Sequence, residues 1–145
     1  MGLKRVSVIG FCLAAVAAVV MLAAVIIRPP KIYISEICPS NSETSKKTAM
    51  QDKNGEPSDW IEIYNPTNKD ISLTGFSLSK NGGVDQPLGG YVIKAHDYII
   101  VYCSSAGFEN ADFPHADFSI GKVSEAEIIL KYDSLQCESI KMPKL

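Results

Sequence analysis

The side chains best suited to acid–base chemistry are few and far apart in this sequence. His96 and His115 are its two histidines, and neither has a nucleophile elbow or a spaced partner base beside it. Asp59 and Glu62 have the chemistry of a hydrolytic carboxylate pair, but residues three apart on a strand point to opposite faces and cannot act on one bond. We therefore expect two exposed loop histidines, no catalytic residues and no enzymatic activity.

A weak cation-binding pattern lies in the long polar segment Ser40–Pro57. Asp52 and Asn54 precede Gly55 and are followed by Asp59, an arrangement similar to the beginning of a calcium-binding loop. The third spaced oxygen ligand and the bidentate glutamate of such a loop are lacking, and an Asn-Gly turn with solvated charges accounts for the same residues. We expect no cofactor, and Ca²⁺ held by Asp52, Asn54 and Asp59 is the alternative left open.

The four cysteines give no metal-binding pattern, because the sequence has no Cys-x-x-Cys pair and no His–Cys spacing of that kind. Cys12 lies within an apolar run and has the character of a small hydrophobic residue. Cys103 and Cys137 lie in strand-like stretches and are able to form a disulfide in an oxidising compartment, with Cys38 left over. The alternative, that all three are reduced, stays open.

A strand must position the acidic and aromatic residues of the segment Ser58–Pro66, which is rich in β-branched and aromatic side chains. Ile61 and Ile63 fall on one face of this strand, which we expect to point into a core. Trp60 and Tyr64 fall on the opposite face, where aromatic rings stack on sugars or anchor a partner protein. These two are the predicted binding residues, and the alternative is that both pack under the long polar segment.

Further short runs of β-prone residues follow, separated by turn signals, and no stretch outside the N-terminal region has the periodicity of an amphipathic helix. Regularly spaced short strands of this kind predict an all-β sandwich. Gln86–Gly90 is expected to be irregular. The remaining predicted strands are Lys31–Ile37, Ile71–Leu73, Phe76–Ser79, Tyr91–Ile93, Tyr98–Cys103, Asp117–Ile120, Glu127–Tyr132 and Cys137–Met142.

The first 31 residues predict a membrane segment. Val6–Ile27 contains no charged residue and is long enough for a helix to cross ~30 Å of hydrocarbon. Cleavable signal peptides usually have an apolar region of about 7–15 residues, so an uncleaved anchor is favoured over removal near Ala15–Ala17. We expect residues 1–31 to be an N-terminal membrane anchor (or uncleaved signal) with one transmembrane helix, and residues 32–145 to be an extracytoplasmic domain of a single-pass membrane protein.

The charge of residues 32–145 argues against a nucleic-acid partner. Four of the fourteen basic side chains lie in residues 1–31, where there is no acidic one, so ten remain against sixteen acidic side chains and the net charge is −6. Such a surface repels phosphate backbones, and the sequence has no basic stripe interleaved with aromatic residues. We expect no nucleic acid to bind.

Several of these stretches together resemble the lamin tail domain, an immunoglobulin-like β-sandwich of nuclear lamins and of many bacterial surface proteins. Asp59–Pro66 matches its central motif almost letter for letter, and Leu73–Ser79 matches its L-x-G-W-x-L-S segment with Phe76 in place of the usual Trp. The resemblance covers about Ile32–Met142 and implies an immunoglobulin-like β-sandwich. The other matching stretches are Ile34–Ile37 with Asn41, Gly90-Tyr91, Tyr98–Val101, His115–Ile120 and Ala126–Leu130.

The resemblance implies a module that binds or scaffolds and does not catalyse. We expect a non-enzymatic, membrane-anchored module with a protein or a cell-surface polysaccharide as its partner. Some bacterial members precede a kinase-like domain of the spore-coat protein H type, so the alternative is the N-terminal accessory domain of a longer enzyme truncated at Leu145. Nuclear lamin tails bind chromatin partners, but their coiled-coil rod and basic surface are missing here, so that role does not transfer.

Overall fold

The computed structural model describes residues 28–41, 50–52, 55–105, 113–121 and 125–143, and every regular element in these ranges is a β-strand. The predicted all-β class is confirmed there. The segment Val6–Ile27 lies outside the described residues, and no helix within them is long and apolar enough to cross a membrane. The strands are β1 (Tyr33–Cys38), β2 (Asp59–Tyr64), β3 (Ile71–Ser72), β4 (Phe76–Lys80), β5 (Gln86–Pro87), β6 (Val92–Ile93), β7 (Tyr98–Cys103), β8 (His115–Ala116), β9 (Glu127–Tyr132) and β10 (Leu135–Lys141).

The strands form two four-stranded sheets and one short ribbon. The first sheet has the order β1-β2-β7-β8, the second has the order β10-β9-β4-β5, and β3 pairs with β6. All pairs are antiparallel except β7 with β8, which run parallel. One hydrophobic core joins side chains from both sheets and from the ribbon, as in a β-sandwich.

The side chains of β2 alternate between the two faces of the first sheet, and those that point inward lie at the centre of this core. Ile61 and Ile63 are completely buried, as the period-two pattern predicts, and Val101 of β7 lies beside Ile61 in register. The second sheet contributes Phe76 and Leu78 from β4, both almost fully buried. The residues that alternate with Ile61 and Ile63 along β2 point to the opposite side of the first sheet, away from the core, and we call this side the outer face.

Two local predictions are wrong. The predicted strand Asp117–Ile120 is absent, because the Phe118 N–H donates to the Ala116 carbonyl at 2.9 Å and turns the chain away from the sheet directly after β8. Ile120 is nevertheless buried in the core, which explains its apolar character. Gln86 and Pro87, expected to be irregular, pair with β4 as the edge strand β5, a position where proline is tolerated because no ladder donor is needed.

The outer strands β1 and β10 end their sheets on the same side of the molecule. A groove of about 570 Å³ lies between them, lined by Ile34–Ser40 and Ile140–Pro143. The Ile34 N–H, on the edge of β1, donates to Glu138 Oε2 of β10 at 2.7 Å. A side-chain carboxylate therefore takes the place that a neighbouring strand's carbonyl would occupy.

Ile63→Ala should destabilise the fold by about 2–4 kcal/mol, because it removes fully buried methyl and methylene groups and leaves a cavity. Val84→Ala is the control, since Val84 is 79% exposed and its truncation should cost less than about 0.5 kcal/mol. The measurement is a urea titration of the detergent-solubilised chain, followed by the fluorescence of its single tryptophan. Equal unfolding midpoints for the two variants would contradict the placement of Ile63 in the core.

Candidate functional site

The most buried polar side chain near the central motif is Asn65, directly after β2, which is completely inaccessible to solvent. Its amide nitrogen donates to three backbone carbonyls, at 2.7 Å to Lys69, 3.1 Å to Ile93 and 2.9 Å to Lys94. Its Oδ1 accepts from the backbone N–H and the hydroxyl of Thr67, at 2.9 and 2.7 Å. One amide thus joins the turn after β2 to the last residue of β6 and to the residue that follows it, and its role is structural.

Asp59, at the start of β2, is also used internally. It is 6% exposed, and its Oδ2 accepts from the Ser119 hydroxyl at 3.0 Å and from the Gly121 N–H at 2.9 Å. Glu62 points to the outer face, so the two carboxylates diverge as the strand spacing predicts. Asp59 therefore fixes the segment after β8 against the first sheet and does not meet a second acid.

The other calcium candidates fall in the loop before β2. Asp52 is buried, and its carboxylate accepts from the Glu56 N–H at 3.1 Å and from the Ser58 hydroxyl at 2.6 Å. Asn54 lies outside the described residues. Within the described ranges, no three side chains of His, Cys, Asp or Glu come close enough together to hold a metal ion. The calcium hypothesis thus stays a prediction, and the visible oxygens of Asp52 bind protein donors.

The two histidines lie in different parts of the fold, His96 in the turn before β7 and His115 in β8. His96 is exposed in a turn with a positive φ of 57°, and its Nε2 is 2.5 Å from Asn68 Oδ1. His115 of β8 is half-buried, with Nε2 2.9 Å from the Ser104 hydroxyl, and burial lowers its pKa while the charges of Asp117 and Asp52 oppose this. His115 thus contacts a serine hydroxyl, whereas His96 contacts an amide oxygen.

Cys38, Cys103 and Cys137 are free thiols, so the disulfide considered for Cys103 and Cys137 is not formed in this structure. Cys103 is buried on the core face of β7, and burial, with a smaller effect of Asp59, raises its pKa strongly. Cys137 is exposed on β10. A raised thiol pKa disfavours the reactive thiolate, so Cys103 has the character of a core residue.

Trp60 lies on the outer face between Cys38 of β1 and Tyr102 of β7, and only 8% of it is exposed. Burial raises the pKa of the neighbouring Tyr102, and the charge of Asp52 raises it further. The Trp60 Nε1–H has no hydrogen-bond partner among the described residues. The Trp60 ring is thus largely buried at this end of the outer face.

The opposite end of the outer face is open and carries a row of three tyrosines from three adjacent strands. Tyr64 of β2 is in register with Tyr33 of β1 on one side and with Tyr98 of β7 on the other. Tyr33 is 39% exposed and Tyr98 is 56% exposed, while Tyr64 is half-buried. The rings of Tyr33 and Tyr64 meet edge to face with centroids 5.5 Å apart. We call Tyr33, Tyr64 and Tyr98 the tyrosine row.

A pair of acids borders the tyrosine row. Glu36 of β1 and Glu62 of β2 lie directly opposite each other on the outer face, one register step towards Trp60. Glu36 is exposed and Glu62 is half-buried. The Ser35 hydroxyl donates to Glu62 Oε1 at 2.5 Å, and the chain bulges at this point of β1. We call these two residues the glutamate pair.

Sequence reasoning identified Tyr64 but missed Tyr33, Tyr98 and the glutamate pair. The alternation within each strand shows which side chains share a face, but it does not show which strands are neighbours or how they are aligned. Trp60, one of the two predicted binding residues, is only 8% exposed, whereas Tyr98, which the sequence did not single out, is 56% exposed.

A family model described as Lamin Tail Domain matches residues 28–136, about three quarters of the chain. The matched range includes β1 to β9 and the first residues of β10. It therefore contains the Asn65 contacts, Asp59 and all five residues of the tyrosine row and the glutamate pair. No curated protein matches the sequence.

Asn65→Ala should destabilise the fold by about 3 kcal/mol or more, because three carbonyls lose their buried donor. Asn65→Asp should be at least as destabilising, since it turns a carboxylate oxygen towards those carbonyls. Asn68→Ala is the matched control: Asn68 is exposed, and its loss should cost about 0.5 kcal/mol. Tryptophan fluorescence during urea unfolding measures all three. A midpoint for Asn65→Ala equal to that of the control would contradict the structural role of Asn65.

Proposed function

The chain belongs to the lamin tail domain family, a non-catalytic domain type, and from this we propose that it is a membrane-anchored binding or scaffold module whose residues 32–145 lie outside the cytoplasm. Its partner is a protein or a cell-surface polysaccharide. No cofactor is needed for this function.

The open end of the outer face is the observation that carries the proposal. Tyr98 and Tyr33 expose ring surface on a sheet whose other end is covered, and ordered strands hold both residues. Tyrosine offers a large apolar contact with a polar tip at low entropic cost, and it is enriched in binding interfaces. In contrast, the buried acids and amides of the central motif are engaged in internal hydrogen bonds. The tyrosine row is therefore the surface we assign to the partner.

The membrane part of the proposal is supported by the sequence. Val6–Ile27 has no charged residue over a length suited to a bilayer, and β1 starts only a few residues after it. An anchor of this kind would hold the β-sandwich close to a membrane surface. The net charge of −6 on residues 32–145 agrees with a soluble domain on such a stem.

Tyr98→Ala should weaken retention of the chain on cell-envelope material about tenfold or more, because it removes the most exposed ring of the tyrosine row. Leu135→Ala is the matched control, since Leu135 is 52% exposed on the second sheet. The full chain in nanodiscs is titrated against envelope fragments that are untreated, protease-treated or periodate-oxidised. Loss after protease indicates a protein partner, and loss after periodate indicates a polysaccharide. Equal retention of both variants would reject the tyrosine row as the binding surface.

The anchor makes a separate prediction. Protein purified from membranes should retain the residues that precede Val6, and externally added protease should digest the β-sandwich in intact cells. N-terminal sequencing and a protease-protection assay measure these two properties. A mature N-terminus after Ile27 would disprove the anchor, and a β-sandwich digested only after lysis would disprove its extracytoplasmic location.

A further inference from the structure

We propose that the open end of the outer face binds an arginine-bearing segment of a partner protein, with the guanidinium group placed between the tyrosine row and the glutamate pair. This inference rests on the proposed binding function and specifies the chemistry of the partner. It follows from the charges, the ring surfaces and the register of β1, β2 and β7.

The glutamate pair is the first argument. Glu36 and Glu62 are cross-strand neighbours, and like charges directly opposite each other on a sheet are destabilising. Neither forms an ion pair with a basic side chain in the described part of the chain, where the salt bridges are Lys94–Asp70 and Lys131–Asp85. Ser35 donates one hydrogen bond to Glu62 but adds no positive charge. A cation from outside would relieve the repulsion and bond to both carboxylates.

The tyrosine row is the second argument. Cations are attracted to the faces of aromatic rings, and guanidinium groups also stack on them. Tyr64 and Glu62 lie two residues apart on the same face of β2, a separation of roughly 7 Å. A planar group that rests on a ring of the row can therefore direct its donors towards the carboxylates. The edge-to-face contact of Tyr33 with Tyr64 holds these two rings in place before the ligand arrives.

The combination selects arginine over other occupants of the same surface. A neutral sugar would stack on the rings but would leave the two carboxylates uncompensated. A divalent cation needs more oxygen ligands than two, and the described residues form no cluster of three acidic or histidine side chains. Arginine supplies a stacking plane, a fixed positive charge and five donors in one group. The net charge of −6 on residues 32–145 further attracts a basic partner.

The test uses the full chain in nanodiscs of phosphatidylcholine, whose headgroups carry no net charge. The probes are three heptapeptides in which glycine alternates with arginine, lysine or citrulline, a neutral isostere of arginine. Fluorescence anisotropy measures their dissociation constants. We expect the arginine peptide to bind, the lysine peptide to bind more weakly and the citrulline peptide to bind at least tenfold more weakly. Raising the salt concentration should weaken the arginine and lysine peptides and change the binding of the uncharged citrulline peptide little.

The decisive variant is the double substitution E36Q/E62Q, which keeps an acceptor for Ser35 and removes both charges. It should weaken the arginine peptide at least tenfold, and Tyr98→Ala should weaken it as well. The control E125Q/D133N removes two exposed acids elsewhere and should change binding less than twofold. Because E36Q/E62Q removes a repulsion, its thermal midpoint should equal or exceed that of the wild type, which separates lost binding from lost folding.

Unchanged arginine binding in E36Q/E62Q, or equal binding of arginine and citrulline peptides, would overturn the inference. If no arginine peptide binds while envelope retention still depends on Tyr98, the cationic partner is refuted and the binding function remains. If envelope retention is also independent of Tyr98, both are refuted.

Discussion

The buried amide of Asn65 is the interaction on which the rest of the structure depends. It satisfies three carbonyls from two separate stretches of chain and accepts two bonds from Thr67, without access to water. The Asn65 N–H also donates to the Asp97 carbonyl at 2.9 Å, directly before β7. The end of β2 is thereby fixed to the start of β7, and this sets the register that aligns Tyr64 with Tyr98.

The central motif thus divides its residues between two tasks. Ile61 and Ile63 fill the core, and Asp59 and Asn65 tie the ends of β2 to loops that would otherwise leave buried polar groups unpaired. Only Tyr64 and Glu62 of this strand are left on the accessible part of the outer face. A surface that does not hold the fold together is able to change its chemistry without loss of stability, which suits a scaffold reused for different partners.

The sequence predicted what depends on local pattern. The burial of Ile61 and Ile63 follows from alternation, and the divergence of Asp59 from Glu62 follows from strand geometry. Two features could not be predicted from the sequence, because they depend on contacts between residues that are far apart along the chain. The short parallel pairing of β8 with β7 needs Tyr102 and His115 to meet across a long connection, and the tyrosine row needs three strands in one register. The burial of Trp60 has the same cause, since the strands on either side of it, β1 and β7, are distant from it in sequence.

The contact of Glu138 with the Ile34 N–H has a consequence for self-association. An exposed strand edge is a template on which another copy of a chain adds its own strand, and repeated addition leads to fibrils. At β1 an incoming strand would have to displace the carboxylate from its donor and leave a charge in a largely apolar groove. The bulge between Ile34 and Glu36 further spoils the straight ladder that such growth requires. The Glu138 carboxylate and the bulge in β1 therefore both oppose strand addition, and hence polymerisation, at the β1 edge of the first sheet.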